Sequence, residues 1–221
     1  IISLLLIWFD QKETLNKNEI SKAKLSDDYK ELFLNKDFWF YVVVMGFSVG
    51  SYFSFLTGAP VISAEYFELA PSVQGYLFAI LGLGFLIGNF LTGRFAMKIG
   101  LNRLMLWGCL IALIGPLLQC FIYLNFIFGP LSFFAPMFLV GLGQGLIVPN
   151  AAAGIVSVNP RLAGSASGLG ATIQVMIGGI LAYITGYIIS IFVTPLPLIF
   201  ILLLTILVTL FFSYKLQRNI S

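Results

Sequence analysis

The chain has 221 residues, of which 59% are hydrophobic and only 10% are charged, and its mean hydropathy is +1.01. Soluble globular domains carry roughly 25% charged residues, so this composition excludes a soluble globular protein. The formal net charge of +3 says little, because the charges are clustered. Apolar runs of about 18 residues or more recur along the chain and predict membrane-spanning helices. We therefore predict an all-α, polytopic transmembrane helix bundle.

Histidine is absent, which removes histidine metal ligands, Ser-His and Cys-His nucleophilic pairs and histidine proton relays. Cys109 and Cys120 lie in one apolar run, where about 16 Å of helical rise separates them, so they cannot pair within one helix. Their spacing fits no metal site, and we expect both to pack as apolar side chains. Membrane enzymes usually need a histidine or an acid within the membrane. We predict no enzymatic activity, no cofactor and no metal.

The first 37 residues divide into two segments. Residues 1–9 are apolar, but nine helical residues rise only about 14 Å, so we expect the end of a truncated transmembrane helix and a fragmentary chain. They carry no basic region or cleavage site typical of a signal peptide. Residues 10–37 contain six lysines and seven carboxylates and predict a cytoplasmic central loop, with a short surface helix at 29–33. Because its acids cancel its bases, we predict no nucleic-acid binding.

Residues 38–214 are predicted to form the transmembrane bundle, and residues 215–221 a cytoplasmic tail. We count five complete spans in the chain, with residues 1–9 as a partial one. Within the bundle, residues 93–103, here called the basic loop, separate two apolar runs. The loop contains Gly93, Arg94, Lys98, Gly100 and Arg103, and its glycines permit a tight turn.

A short turn with several cations between apolar runs is typical of a cytoplasmic loop. Alternation of spans puts residues 10–37, Arg161 and the tail on the same side as the basic loop. All 12 lysines and arginines then lie on that side, and Glu65 and Glu68 are the charges on the other. The cations of the basic loop are either topology anchors or gate contacts that break during alternating access.

Small residues and prolines are placed in or near the runs in a pattern that predicts close packing. Glycines four residues apart share a helix face and let helices approach closely in lipid. Prolines in or near the spans predict kinked helices or backbone carbonyls without a hydrogen-bond partner, as in a protein that changes conformation. A static bundle is the alternative. The glycine pairs are Gly46/Gly50, Gly84/Gly88, Gly141/Gly145 and Gly164/Gly168, and the prolines are Pro60, Pro116, Pro136 and Pro149.

The basic loop, Gly-Arg-Phe-Ala-Met-Lys-Ile-Gly-Leu-Asn-Arg, resembles the degenerate second copy of a loop motif of the major facilitator superfamily (MFS). In the stronger first-half copy, an acid stands at the place of Met97, so the contacts of a complete motif are not expected here. Residues 52–60, 149–153 and 163–170 resemble the bicyclomycin-resistance (Bcr/CflA) branch of multidrug–proton antiporters. Residues 13–15 resemble the start of that family's central loop.

This resemblance covers nearly the whole chain and implies the C-terminal, six-helix half of a twelve-helix secondary active transporter. It implies multidrug or small-molecule efflux by proton antiport, a role in antibiotic resistance, and a bacterial cytoplasmic (inner) membrane. The implied partners are a small lipophilic substrate or drug, membrane lipid and protons. No ionisable residue lies inside a predicted span, so the coupling carboxylate is expected in the missing half. A metabolite or sugar carrier, or a non-transporting remnant of a split gene, is the alternative.

The resemblance places a central cavity against helices seven, eight, ten and eleven. The candidate substrate-binding residues on these helices are Tyr52, Phe53, Gln144, Asn150 and Gln174, followed by Asn89. For the amides, an interhelical hydrogen bond is the open alternative, because an unpaired amide is costly in hydrocarbon. We assign Gln119 a structural role, since it falls on a peripheral helix.

Overall fold

The structure is a computed structural model that describes residues 25–126 and 128–220. The predicted truncated helix at residues 1–9 therefore lies outside the described residues. The described part of the chain is helical throughout apart from short connections, which confirms the all-α class. The helices are α1 Leu25–Leu34, α2 Lys36–Val61, α3 Pro71–Ile99, α4 Leu101–Asn125, α5 Pro130–Phe134, α6 Met137–Ser157, α7 Ala163–Ile191 and α8 Pro195–Ile220.

Two short helical segments extend this set, a π-helix at Ile62–Tyr66 after α2 and a 3₁₀ turn at Pro160–Leu162 before α7. Six stretches of the described chain are long and apolar enough to cross a membrane, which is one more than the five complete spans counted from the sequence. They are Lys36–Tyr66, Pro71–Ile99, Leu101–Asn125, Pro130–Ser157, Pro160–Ile191 and Pro195–Arg218. The six-helix bundle is thus confirmed.

The basic loop is not a loop. Helix α3 continues through Gly93 to Ile99, and α4 begins at Leu101, so Gly100 is the single residue between them. Gly100 has a φ of 92°, a backbone conformation that glycine adopts without the cost of a Cβ clash. The intervening Arg, Ala, Met and Lys are good helix formers, and for this reason the turn shrinks to one residue.

Helix boundaries differ from the sequence expectation at other points. The predicted 29–33 helix is part of the longer α1, whereas α8 continues to Ile220 beyond the predicted end of the bundle. Helix α3 begins at Pro71, whose fixed φ suits a first helical position. Asn35 starts α2 by accepting hydrogen bonds at its Oδ1 from the backbone N–H groups of Asp37 and Phe38.

The spans run antiparallel, so the bundle has two ends of different charge. Tyr41 near the start of α2 meets Asn102 at the start of α4, and Asn102 meets Leu216 near the end of α8. This end, here called the basic end, also holds the α3–α4 junction and the turn before α7. Every lysine and arginine of the described residues lies at or near it, while Glu65 and Glu68 lie at the other, acidic end.

Helices α2 and α6 form the centre of the bundle. Among the most apolar 18 residues of each span, 61% are buried in the span containing α6 and 50% in the one containing α2. Helices α3 and α7 are the least covered, with 22% and 17% buried. Two apolar clusters fill the interior, one around Phe38 and Met105 near the basic end and one around Phe55 towards the acidic end.

The predicted glycine faces explain how the helices approach. A Cβ on Gly84 or Gly88 of α3 would overlap a backbone oxygen of α6, and α6 presents Gly141 and Gly145 to backbone oxygens of α3 in return. Gly46 and Gly50 of α2 meet Ile177 and Leu181 of α7. Three of the four predicted pairs therefore lie at helix contacts. The fourth pair, Gly164 and Gly168, has no neighbour within 4 Å among the described residues.

The prolines act in two ways. Helix α2 contains Pro60, α4 contains Pro116 and α6 contains Pro149, and each helix continues past its proline. Pro136 instead stands between α5 and α6, where it interrupts the fourth span. A proline removes one backbone donor, so each of these helices has a carbonyl that lacks its usual partner.

Candidate functional site

A cavity of about 210 Å³ lies between the central helices α2 and α6 and the exposed helix α3. Its position is near the middle of all three spans, midway between the basic and acidic ends. None of the side chains around it is an acid, a lysine or an arginine. The lining residues are Val49, Tyr52, Leu81, Gly82, Phe85, Gln144 and Val148.

Gln144 is the amide of this cavity. Its side chain is only 4% exposed, and Nε2 donates a hydrogen bond of 3.1 Å to the backbone carbonyl of Ser48 on α2. This bond holds the amide at a fixed angle between α6 and α2. Its Oε1 accepts no hydrogen bond from the described residues, so it remains available as an acceptor on the cavity side.

Tyr52 and Phe53 are neighbours in sequence but face different parts of the bundle. Tyr52 lines the cavity together with Gln144. Phe53 points towards α7, where its ring would lie 2.8 Å from a Cβ on Gly178. Successive helical residues differ by about 100° around the axis, which separates the two rings. The cavity therefore includes Tyr52 but not Phe53.

The remaining predicted amides do not line this cavity. Asn150 is 1% exposed and donates from Nδ2 to the carbonyl of Leu146 at 2.7 Å and to Thr92 Oγ1 at 3.3 Å. Asn89 donates within its own helix to Phe85, and Gln174 lies on α7, partly exposed. Interhelical bonding, the alternative left open for the amides, is thus what the structure shows for Asn150, and the bond from Gln144 to Ser48 is interhelical as well.

Gln119 is fully buried and donates from Nε2 to the carbonyl of Phe133, so it links α4 to α5 as a structural group. Sequence reasoning did not identify Thr92, which donates at 2.9 Å to the carbonyl of Gly145 and ties α3 to α6. The signal was present, because Thr92 continues the small-residue spacing of Gly84 and Gly88 by four more residues.

Three larger spaces do not bring the candidate residues together. The smallest of them, of about 320 Å³, lies beside Leu118, Leu131 and Leu139 on α4 to α6. The remaining two lie elsewhere. One of about 590 Å³ opens at the basic end beside Arg103, Tyr41 and Asn102. There Tyr41 donates from its hydroxyl to Asn102 Oδ1 at 2.7 Å, and the structural network continues to α8. The other, of about 490 Å³, is an open groove beside Tyr183 and Tyr187 on α7. The mid-span position of the 210 Å³ cavity and the presence of both Tyr52 and Gln144 in its lining make it the candidate binding site.

The chain matches the Major Facilitator Superfamily over residues 1–183, most of its length. The chain belongs to the Major Facilitator Superfamily. An uncharacterized MFS-type transporter of Bacillus subtilis (strain 168), YdgK, is 26% identical over 187 residues. That similarity covers 83% of this chain and 46% of the relative, so the chain spans about half the length of the curated relative that it matches.

In this MFS chain, the α3–α4 junction contains the residues of the basic loop. Met97, which was compared above with an acid of the motif that the basic loop resembles, is 97% exposed. Arg94 and Lys98 lie on the last two turns of α3, and Arg103 lies on the first turn of α4. These three cations are therefore carried by the helix ends on either side of Gly100.

Proposed function

We propose that this MFS chain forms one half of a secondary active transporter that exports a small lipophilic molecule. The observation that carries the proposal is the mid-depth cavity in which Tyr52 and Gln144 face an otherwise apolar lining without charge. An apolar pocket with a few placed polar groups is the usual form of a small-molecule site. A neutral lining of this kind favours a lipophilic substrate over a sugar, which requires many hydrogen-bonding groups.

The size of the cavity supports a site shared between two halves. Sites for small molecules usually measure about 300–1,000 Å³, and this cavity measures about 210 Å³. The least covered spans, those of α3 and α7, lie next to the central helices. We propose that a second six-helix half packs against these two helices and completes the site. The chain then corresponds to the C-terminal half, and the B. subtilis relative is long enough for both.

The proposed energy source is a proton gradient. None of the described spans has an acid, lysine or arginine in its interior, and an intramembrane ionisable group is the usual carrier of coupled protons. The titrating carboxylate would thus belong to the second half. Proton antiport, multidrug efflux and the Bcr/CflA branch stand as parts of this proposal, supported by the short motifs at residues 52–60, 149–153 and 163–170.

The proposed orientation has the basic end in the cytoplasm and the acidic end outside the cytoplasmic (inner) membrane of a bacterium. All cations of the described residues lie at or near the basic end, and cytoplasmic loops carry the excess of lysine and arginine. Helix α8 ends there too, which makes the C-terminus cytoplasmic. A metabolite carrier and a non-transporting remnant are the alternatives, and neither is favoured by a specific contact.

A drug-susceptibility panel tests the proposal. We expect deletion of the gene to increase susceptibility to at least one class of lipophilic compound, and the intact gene supplied on a plasmid to restore resistance. A plasmid carrying Gln144→Leu is the matched comparison, because it differs at one cavity residue. Unchanged susceptibility across compounds of varied charge and size would contradict efflux.

The cations at the end of α3 give a further prediction. We expect the double variant Arg94→Gln/Lys98→Gln to insert and transport normally, since neither side chain bonds to a described residue and Arg103 remains. Reporter fusions at the C-terminus would measure insertion, and an efflux assay would measure transport. Normal insertion with lost transport would instead identify the two cations as gate contacts.

A further inference from the structure

Helix α1 is held in a fixed direction at the basic end, because hydrogen bonds at Asn35 and between Trp39 and Phe33 join it to α2. Asn35 Oδ1 accepts from two N–H groups in the first turn of α2, at 3.0 and 3.2 Å. Trp39 on α2 donates from Nε1 to the carbonyl of Phe33 on α1 at 2.9 Å, and the two rings are 5.3 Å apart. Leu32 is 1% exposed. Helix α1 is thus packed against the bundle.

The far side of α1 is joined to the turn that precedes α7. Arg161 donates to Glu31 Oε2 at 2.7 Å, and Asn159 donates from Nδ2 to Glu31 Oε1 at 2.7 Å. Asn159 Oδ1 in turn accepts the backbone N–H of Arg161 at 3.1 Å. Both carboxylate oxygens are therefore engaged, and the three residues form a network in place of an isolated ion pair.

The helix that follows this turn is the least covered span of the described chain, with 17% of its most apolar 18 residues buried. The glycine contacts that join α2 to α7 begin at Ile177 and continue through Leu181, in the second half of α7. Nearer the turn, Gly164 and Gly168 have no neighbour within 4 Å among the described residues. Ala166 in the same turns is fully buried in the cluster near the basic end, so the start of α7 is packed on one face and uncovered on the other.

We propose that α1 is a clamp that holds the basic end of α7 against the bundle and releases it when the Glu31 network opens. Asn35 and Trp39 attach α1 to α2, and Glu31 accepts hydrogen bonds from the turn before α7. The Arg161 and Glu31 side chains are 57% and 50% exposed, so water competes for this bond. An exposed pair of this kind shifts an equilibrium by only about 1.5- to fivefold, which suits a contact that must open and close.

Distance measurements between paired spin labels test the clamp in the intact protein in liposomes. Cys109 and Cys120 are replaced by alanine, and labels are placed at Leu34→Cys on α1 and Ser167→Cys on α7, both exposed positions. We expect Glu31→Gln and Arg161→Gln each to raise the population of longer distances by about 1.5- to fivefold. The exchange Glu31→Arg/Arg161→Glu should return the distribution towards that of the unchanged pair.

Glu65→Gln is the matched control, because it removes an exposed carboxylate at the acidic end. Distance distributions that are the same in Glu31→Gln, Arg161→Gln and Glu65→Gln would overturn the clamp. The clamp would also be overturned if the exchanged pair raised the population of longer distances by the sum of the increases seen in Glu31→Gln and Arg161→Gln. The readout is a distance, so the result is separate from whether the protein transports a substrate.

Discussion

Valine in place of Gly88 is expected to prevent α3 from packing on α6 and to leave little folded protein. The new Cβ would overlap the backbone carbonyl of Leu142 and lie 2.9 Å from the Cα of Gly145. A backbone cannot rotate away as a side chain can, so the whole helix must shift and break the Thr92–Gly145 hydrogen bond. Overpacking a close contact typically costs about 1–3 kcal/mol, and a backbone clash is expected at or above the top of that range.

Gly75→Val is the control for this prediction, because Gly75 lies in the same helix and a Cβ added to it would have no described atom within 4 Å. Both variants replace a glycine of α3 by valine and so carry the same change in intrinsic helix propensity. Fluorescence-detected size-exclusion chromatography after a heating series measures the folded fraction. We expect Gly75→Val to behave like the unchanged protein. Equal losses in the two variants would show that α3 does not depend on the α6 contact.

Gln144→Leu is expected to reduce transport by about tenfold or more while the protein remains folded. The substitution keeps the volume of the side chain but removes the cavity acceptor Oε1 and the donor to Ser48. A hydrogen bond to a neutral group contributes about 0.5–1.5 kcal/mol, and an unpaired buried partner costs about 1–3 kcal/mol. In the variant, a substrate that bonds to this amide would lose its hydrogen bond, and its own polar group would be buried without a partner.

Gln74→Leu provides the same chemical change in α3, outside the cavity. Efflux rates of a compound selected by the susceptibility panel, corrected for the amount of protein in the membrane, compare the two variants. Tyr52→Phe adds a test of the tyrosine hydroxyl. If Gln174→Leu abolished efflux and Gln144→Leu did not, the site would lie along α7 and the cavity assignment would be wrong.

The helices and most of the faces on which they pack could be predicted well, because they follow from local rules. Long apolar runs fix the spans, and glycines four apart fix the faces that meet, as at Gly84, Gly88, Gly141 and Gly145. Gly164 and Gly168 have the same spacing but lack a described partner. Spacing identifies a face that can be approached closely, whereas the identity of the neighbour depends on the arrangement of the whole bundle.

The site was less predictable for the same reason. Gln144 and Asn150 are both amides of α6, and only the relative rotation of α2, α3 and α6 directs the first to the cavity and the second to Thr92. Tyr52 and Phe53 point about 100° apart on α2, but which of them reaches the cavity depends on how α2 is oriented in the bundle. The α3–α4 junction was misread because a glycine-flanked basic stretch resembles a turn, although most of its residues favour helix.

Alkylation of a cysteine at Val148 tests the central claim most directly, because this residue lines the Tyr52–Gln144 cavity without contributing a hydrogen bond. The intact protein, with Cys109 and Cys120 replaced by alanine, carries Val148→Cys or, as a control, Gly75→Cys. We predict that the exported compound slows alkylation of the cysteine at Val148 and leaves the rate at Gly75 unchanged. Equal alkylation rates at Val148 with and without a compound that the protein demonstrably exports would contradict the claim.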